Sequence, residues 1–320
     1  MEYSKLNESI RKELNSKYND LDYQLLVDFV DMILKYNYPK STPKYLSHMG
    51  TGKCIEYATD FLNTIDEKYA LRLHDKLDNY GVEFTHENPE LGSCLRTYGE
   101  SKYITIHLRG TIADSYALTR ETVRDIHTDT KLRKRAWYLM TDALAYLAER
   151  LQLDYFSKLE EPPGDFENIE FERMEKIYSD AMGLDFSLQL LKLYESRKFI
   201  DQHSIEKLIL ESRYPSLTTS IYLPKALKEG IKIRELERGV VGGILSSYMY
   251  QRICDNPRFI AEFKELNGML NEYSFNDILK YLELDVSNDS SIISDKSLDS
   301  LSSAYEKRYI DVTRHHPNRY

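Results

Sequence analysis

The sequence predicts a mainly helical fold carrying one small β-sheet or hairpin. Three observations predict it. Apolar residues recur at three- and four-residue spacing through most of the chain, strict alternation is confined to one segment, and breakers are sparse, with 9 prolines and 13 glycines in 320 residues.

The elements follow in order. The opening "MEYSKLNESIRKELNSKYND" is charged from its second residue and has no apolar core of the kind a cleaved leader needs. In "YQLLVDFVDMILKY", Leu25, Leu26, Phe29, Val30, Met32 and Ile33 mark an amphipathic helix. "NPELG" at 88–92 is a break. In "KYITIHLRG", 102–110, Tyr103, Thr105 and His107 alternate with Ile104, Ile106 and Leu108, which predicts a strand, and "GSCLRTYG" just before it is its expected partner. Helices are expected for "YALTRETVRDIH", 116–127, for "WYLMTDALAYLAERLQLDYF", 137–156, and for "SIEKLILESRY". Between the second and third of these, "EEPPGD" at 160–165 is the strongest break, read as a loop inside one fold because no Gly/Ser linker accompanies it. "RYPS" at 213–216 and "DNPR" at 255–258 are further breaks. Gly242-Gly243 lacks phosphate-loop spacing and is expected to permit close helix packing. The Ser/Asp-rich stretch 287–303 reads as a loop leading into a final helix capped by Ser297 or Asp299.

A formal net charge of -9 and a pI near 5.5 argue against a general nucleic-acid partner. The one dense basic run, Lys131-Leu132-Arg133-Lys134-Arg135, reads as a solvated helix face or junction. Cys54, Cys94 and Cys254 are widely spaced and form neither a disulfide framework nor a zinc ribbon. The longest apolar run, "GVVGGILSSYMY", is about half of the roughly 20 residues a membrane span requires, so no span is expected. A cytoplasmic location is expected, and signal-independent secretion is compatible with the same residues. His315-His316 reads as a terminal tail and not a metal clip.

The chemistry-bearing segment is Arg120-Glu121-Thr122-Val123-Arg124. It has the frame of the zinc-protease helix H-E-x-x-H, in which two histidines one turn apart hold the metal and the glutamate serves as general base. The glutamate is present and the ligand positions are arginines. On the following predicted helix, Asp142 and Glu149 are seven residues apart, which returns to within about 20° of the same direction, so both carboxylates share a face.

Four blocks together resemble the thimet oligopeptidase and oligoendopeptidase F family of zinc metallopeptidases. "GSCLRTYGESKYITIHLRGTIADSYALTRE" is similar to that family's strand and lead-in to its metal-binding helix. "TDALAYLAERLQLDYF" is similar to the helix that supplies the third ligand. "RGVVGGILSSYMYQRICDNPRFIAEFKEL" resembles its late glycine-containing helix, and "YSFNDILKYLELDV" its closing element. The likeness spans roughly residues 90–305. It implies a zincin-like helical metallopeptidase fold beside a cleft, divided into an N-terminal helical region at 1–90 and a degenerate catalytic domain at 91–320, packed as one globular unit.

By that register Arg120 and Arg124 stand at the histidine positions, Glu121 at the general-base position and Asp142 at the third ligand, with Glu149 and His127 beside them. The resemblance further places Arg109, Arg238, Tyr248 and Tyr250 at the cleft, Arg238 or Gly239 standing where the family carries a tyrosine. Arg96 and Arg109 fall beside the strand, where an extended peptide pairs by strand addition. A guanidinium has five donors and no free lone pair, so it cannot bind zinc. Two guanidiniums can, however, replace the two positive charges of the ion and pair with Glu121, Asp142 or Glu149. No cofactor is therefore expected, with zinc implied only if the family activity persists. Three functional readings stay open. One is a pseudopeptidase keeping a cleft for a peptide or protein ligand, acidic in character. The second is an active metalloendopeptidase with an atypical metal site. The third is a helical interaction or effector protein with inherited peptidase architecture alone.

Overall fold

The computed structural model describes residues 2–15, 23–36, 46–88, 93–98, 101–128, 135–254, 259–273, 275–285 and 293–315. The basic run at 131–134, the break at 255–258, residues 287–292 of the Ser/Asp-rich stretch and His316 lie outside them.

In chain order the helices are α1 (Glu2–Asn15), α2 (Tyr23–Leu34), α3 (Thr51–Ile65) and α4 (Glu67–Asp78), followed by strands β1 (Val82–Thr85), β2 (Ser93–Tyr98) and β3 (Ser101–His107). Then come α5 (Ala113–His127), α6 (Arg135–Phe156), α7 (Asn168–Arg197), α8 (Gln202–Glu211) and α9 (Pro215–Leu217). A π-helical turn over Thr218–Tyr222 leads into α10 (Leu223–Glu229), α11 (Ile233–Cys254), α12 (Phe259–Glu272), α13 (Phe275–Tyr281) and α14 (Asp295–His315). The chain is thus mainly helical with one small sheet. No helix among the described residues is long and apolar enough to cross a membrane.

The chain forms two compact units, each discontinuous in sequence: Met1–Tyr38, Lys176–Val240 and Asp285–Leu298 form the first, and Pro39–Glu175, Val241–Leu284 and Asp299–Tyr320 the second. Their bounds differ from a division at residue 90, because the first unit is built from α1 and α2 together with residues contributed by α7 and the segments after it. Its core includes Leu6 and Ile10 of α1, Leu26, Phe29 and Ile33 of α2, and Tyr178, Ala181 and Leu184 of α7, all at most 1% exposed. Buried Asn7 fastens α1 by donating to the Ile200 carbonyl at 2.8 Å and accepting from the Ile200 amide at 2.8 Å.

The sheet lies in the second unit and has the order β1-β3-β2. β2 pairs antiparallel with β3, Ser93 opposite Ile106 and Tyr98 opposite Ser101, as the sequence leads one to expect. β1 pairs parallel with β3 on its other side. That strand is four residues long, and its Val-Glu-Phe-Thr alternation is too short to mark a strand by itself without the pairing to β3. Its presence makes β3 the central strand, with Thr105 and His107 buried as well as Ile104 and Ile106, where alternation alone predicts one solvated face.

The connection from β3 to α5 fixes the helix start. Gly110 adopts φ +70°, open to glycine and costly for other residues. The buried Asp114 carboxylate then accepts the amides of Arg109 at 3.0 Å and Gly110 at 2.9 Å. Around the first turn of α5, Ile112 and Tyr116 pack with Leu153 and Phe156 of α6. Phe156 meets Tyr57, Tyr116 and Phe166 edge-on, with centroids 5.3, 5.5 and 6.4 Å away.

The cap of α14 differs from expectation. Ser294 Oγ accepts the Ser297 amide at 3.4 Å and the Ser294 carbonyl accepts the Leu298 amide at 2.9 Å, so Ser294 occupies the capping position. Ser297 instead donates from its backbone to that cap, and its hydroxyl accepts the Asp285 amide at 2.6 Å.

Gly242 of α11 faces α6. A Cβ built there lies 3.1 Å from Asp142 Cβ and 3.4 Å from the Ala143 amide nitrogen, neither of which is the free end of a flexible side chain. Gly242→Ala gains about 1 kcal/mol of helix propensity and incurs about 1–3 kcal/mol of overpacking. We expect a net loss of about 1 kcal/mol in urea unfolding; unchanged or increased stability rejects a close α6–α11 contact.

Candidate functional site

α5 is buried on nearly all sides, so its polar residues must find partners inside the protein. Glu121 is 0% exposed, and Asp142 and Glu149 on α6 are 1% and 2% exposed. Asp142, Tyr146 and Glu149 recur at i, i+4 and i+7, placing them along one face of α6. Across from them Arg120 and Arg124 stand one turn apart on α5.

Both guanidiniums reach the carboxylates the sequence pairs them with. Arg124 Nε donates to Asp142 Oδ1 at 2.6 Å and Arg124 Nη1 to Glu121 Oε1 at 2.8 Å. Arg120 Nη1 donates to Glu149 Oε1 at 2.6 Å and its Nε to Glu121 Oε1 at 3.1 Å. Two further residues join the group. Ser93, at the start of edge strand β2, accepts from Arg120 Nη2 at 2.5 Å and donates to Glu121 Oε1 at 2.7 Å. The Arg124 guanidinium lies over the Tyr146 ring at 5.7 Å. Tyr146 is legible in principle from its i+4 spacing to Asp142. Ser93 is not, since nothing local ties the start of a strand to a helical residue 28 positions later.

Burial works to raise the Glu121 pKa, yet Arg124 and Arg120, with hydrogen bonds from Ser93 and Arg120, bring it from 4.5 down to about 2. For Glu149 burial outweighs the pull of Arg120, Arg173 and Arg124, and its pKa is raised. Glu149 and Glu121 in turn raise the Arg120 pKa against its own burial. The 2.6 Å geometry of the Arg120–Glu149 contact is that of an ion pair.

These residues do not fit zinc. Arg120 and Arg124 are donors only, and the carboxylates are engaged by their guanidiniums. Among the described residues no group of three or more His, Cys, Asp or Glu is placed to hold a metal ion. A carboxylate with a pKa near 2 is also a weak proton acceptor at neutral pH. The arrangement can cross-link α5 to α6 and present two partly accessible guanidiniums, whose side chains are 19% and 15% exposed.

Other expected site residues lie elsewhere. His127 is 1% exposed and its Nε2 is 2.8 Å from the Tyr69 hydroxyl, which ties α5 to α4. Arg109 donates to Glu172 at 2.7 Å. Arg238 falls in the first unit, whereas Arg120 and Arg124 belong to the second. Tyr248 donates to the Leu282 carbonyl at 2.8 Å. Tyr250 donates to Asp154 at 2.8 Å and lies beneath the guanidiniums of Arg150 and Arg308. The two tyrosines thus have other partners, Tyr248 at the residue that follows α13 and Tyr250 between α6 and α14, since residues two apart on a helix point about 200° apart.

No family model, curated protein or solved structure matches the chain.

Removing one charge from a buried group leaves its partners uncompensated, typically at about 3–5 kcal/mol. Glu121→Gln keeps an oxygen for the three donors, so we expect a loss of about 3 kcal/mol in denaturant unfolding at pH 7. The sign with pH follows from the depressed pKa. Between 4.5 and about 2 the unfolded chain binds the proton first, so Glu121 stabilises the fold above that window and the benefit disappears as pH falls through it. The stability gap between wild type and Glu121→Gln should shrink accordingly; a gap independent of pH down to about 2 contradicts the assignment.

Proposed function

We propose that this chain is a pseudopeptidase: a zincin-like helical scaffold that binds an extended, acidic peptide and does not hydrolyse it. The observation that carries this reading is the placement of Arg120 and Arg124 among Glu121, Asp142 and Glu149, with Ser93 of edge strand β2 hydrogen-bonded to both Arg120 and Glu121. The frame of a hydrolytic centre is present, and fixed cations occupy the positions where that chemistry requires metal ligands.

β2 is an edge of the described sheet. A peptide adding to it by main-chain pairing runs past Ser93 and hence past the two guanidiniums. Carboxylate side chains or a terminal carboxylate on that peptide complement Arg120 and Arg124, and Arg96, exposed on the same strand, extends the positive surface.

The test reverses the substitution. Arg120→His combined with Arg124→His in the full chain should acquire about one zinc per chain in elemental analysis after dialysis, with ligand distances near 2.0–2.1 Å by X-ray absorption. A folded double variant that binds no zinc rejects the proposed register. Wild type and Glu121→Gln should be equally inactive on fluorogenic peptides, and hydrolysis by wild type that Glu121→Gln abolishes would replace this reading with an active peptidase.

A further inference from the structure

The strand that brings Ser93 to the arginines carries a second charged position, and strand geometry fixes how the two relate. Ser93 turns toward α5, where its hydroxyl meets Arg120 Nη2 and Glu121 Oε1. Side chains alternate along a strand, so Leu95 shares that face while Cys94 and Arg96 lie on the other. The Arg96 Nε–Cys94 Sγ hydrogen bond at 3.4 Å joins two side chains of this outer face. Arg96 is exposed, and on β3 it stands opposite Tyr103, itself 41% exposed. Positive charge therefore flanks β2 on both faces, at positions 93 and 96.

The inner position presents donors and not acceptors. Glu121, Asp142 and Glu149 are at most 2% exposed, whereas the Arg120 and Arg124 side chains keep 19% and 15% of their surface. A guanidinium has five N–H donors. Arg120 makes three hydrogen bonds, to Glu121, Glu149 and Ser93, and so retains two N–H groups, one of them on the Nη2 that touches Ser93. Arg124 makes two, from Nε and Nη1, and its Nη2 has no acceptor among the described residues.

A strand added on the side of β2 away from β3 alternates in the same way. Its residue opposite Ser93 projects toward Arg120 and its residue opposite Arg96 projects to the outer face. Those two residues are three positions apart whether the added strand runs parallel or antiparallel to β2. Carboxylates two or four positions apart fall on one face and reach only one of the two charges.

We infer that the β2 edge selects peptides with two acidic residues three positions apart, acidic-x-x-acidic, one carboxylate meeting Arg120 and Arg124 and the other meeting Arg96. This rests on the peptide-binding reading of the same site and adds to it a sequence rule, with Arg96 as the residue that sets it.

The experiment uses labelled peptides of about ten residues in a Thr/Ser background, extended by the β preference of Thr. Three carry two glutamates, placed two, three or four positions apart, and a fourth has both replaced by glutamine. Each is titrated by fluorescence anisotropy with the full wild-type chain and with Arg96→Gln. In wild type the three-apart peptide should bind about threefold more tightly than the other two acidic peptides, the scale of one exposed ion pair. All three should bind about tenfold more tightly than the glutamine peptide, the scale of one charge-assisted hydrogen bond. Arg96→Gln changes an exposed side chain, so it should leave urea unfolding unaltered and make the three acidic peptides equal. Equal affinity of the three in wild type, or a preference for two or four positions, overturns the spacing rule and leaves the acidic-peptide reading standing. A three-apart preference that survives Arg96→Gln overturns the assignment of Arg96. Glutamine peptide binding as tight as acidic binding, or no binding of any peptide, rejects the acidic-peptide reading and the spacing rule together.

Discussion

The ion pairs joining α5 to α6 fix how these two helices of the second unit meet. Five charged side chains share a mostly dry space: Arg120 and Arg124 from one helix, Asp142 and Glu149 from the other, and Glu121 Oε1 receiving a donor from each arginine. Burying such charges is costly unless each is answered at close range. The two helices are therefore held in one register, with Arg124–Asp142 and Arg120–Glu149 as separate points of attachment. Gly242 allows α11 to approach α6 beside Asp142, and Ser93 brings the edge strand to the same group.

The same electrostatics decide what this frame can do. A general base has to exchange protons near the working pH, and the two guanidiniums remove Glu121 from that range. A metal ligand must offer a lone pair, and arginine has none. What remains are partly accessible donors beside a strand edge, which is why we propose recognition of carboxylates on an extended chain.

α6 also links two charged regions. Glu149 pairs with Arg120, while the next residue, Arg150, belongs with Asp154, Tyr250 and a cavity bordered by Arg308. Adjacent residues on a helix point about 100° apart, so one α6 turn can serve two environments. Tyr250, grouped in sequence with Tyr248 and the Arg120 frame, belongs to the second of these.

Much of this arrangement is legible in the order of the residues. Period-three-and-four spacing locates α2, α5, α6 and α8, and alternation locates β3 and its antiparallel partner. Helical geometry places Arg120 with Arg124 and Asp142 with Glu149 on shared faces, and the chemistry of guanidinium and carboxylate indicates that the two faces pair. These features depend on local backbone geometry and charge, which the sequence by itself determines. Tertiary structure decided the rest: β1 as the third strand, Ser93 as a partner of Glu121, His127 against Tyr69, and the meeting of Glu170 with Arg308. Each joins residues whose relation depends on how separate elements dock, and a burial environment or a partner from a distant strand leaves no periodic trace in the chain.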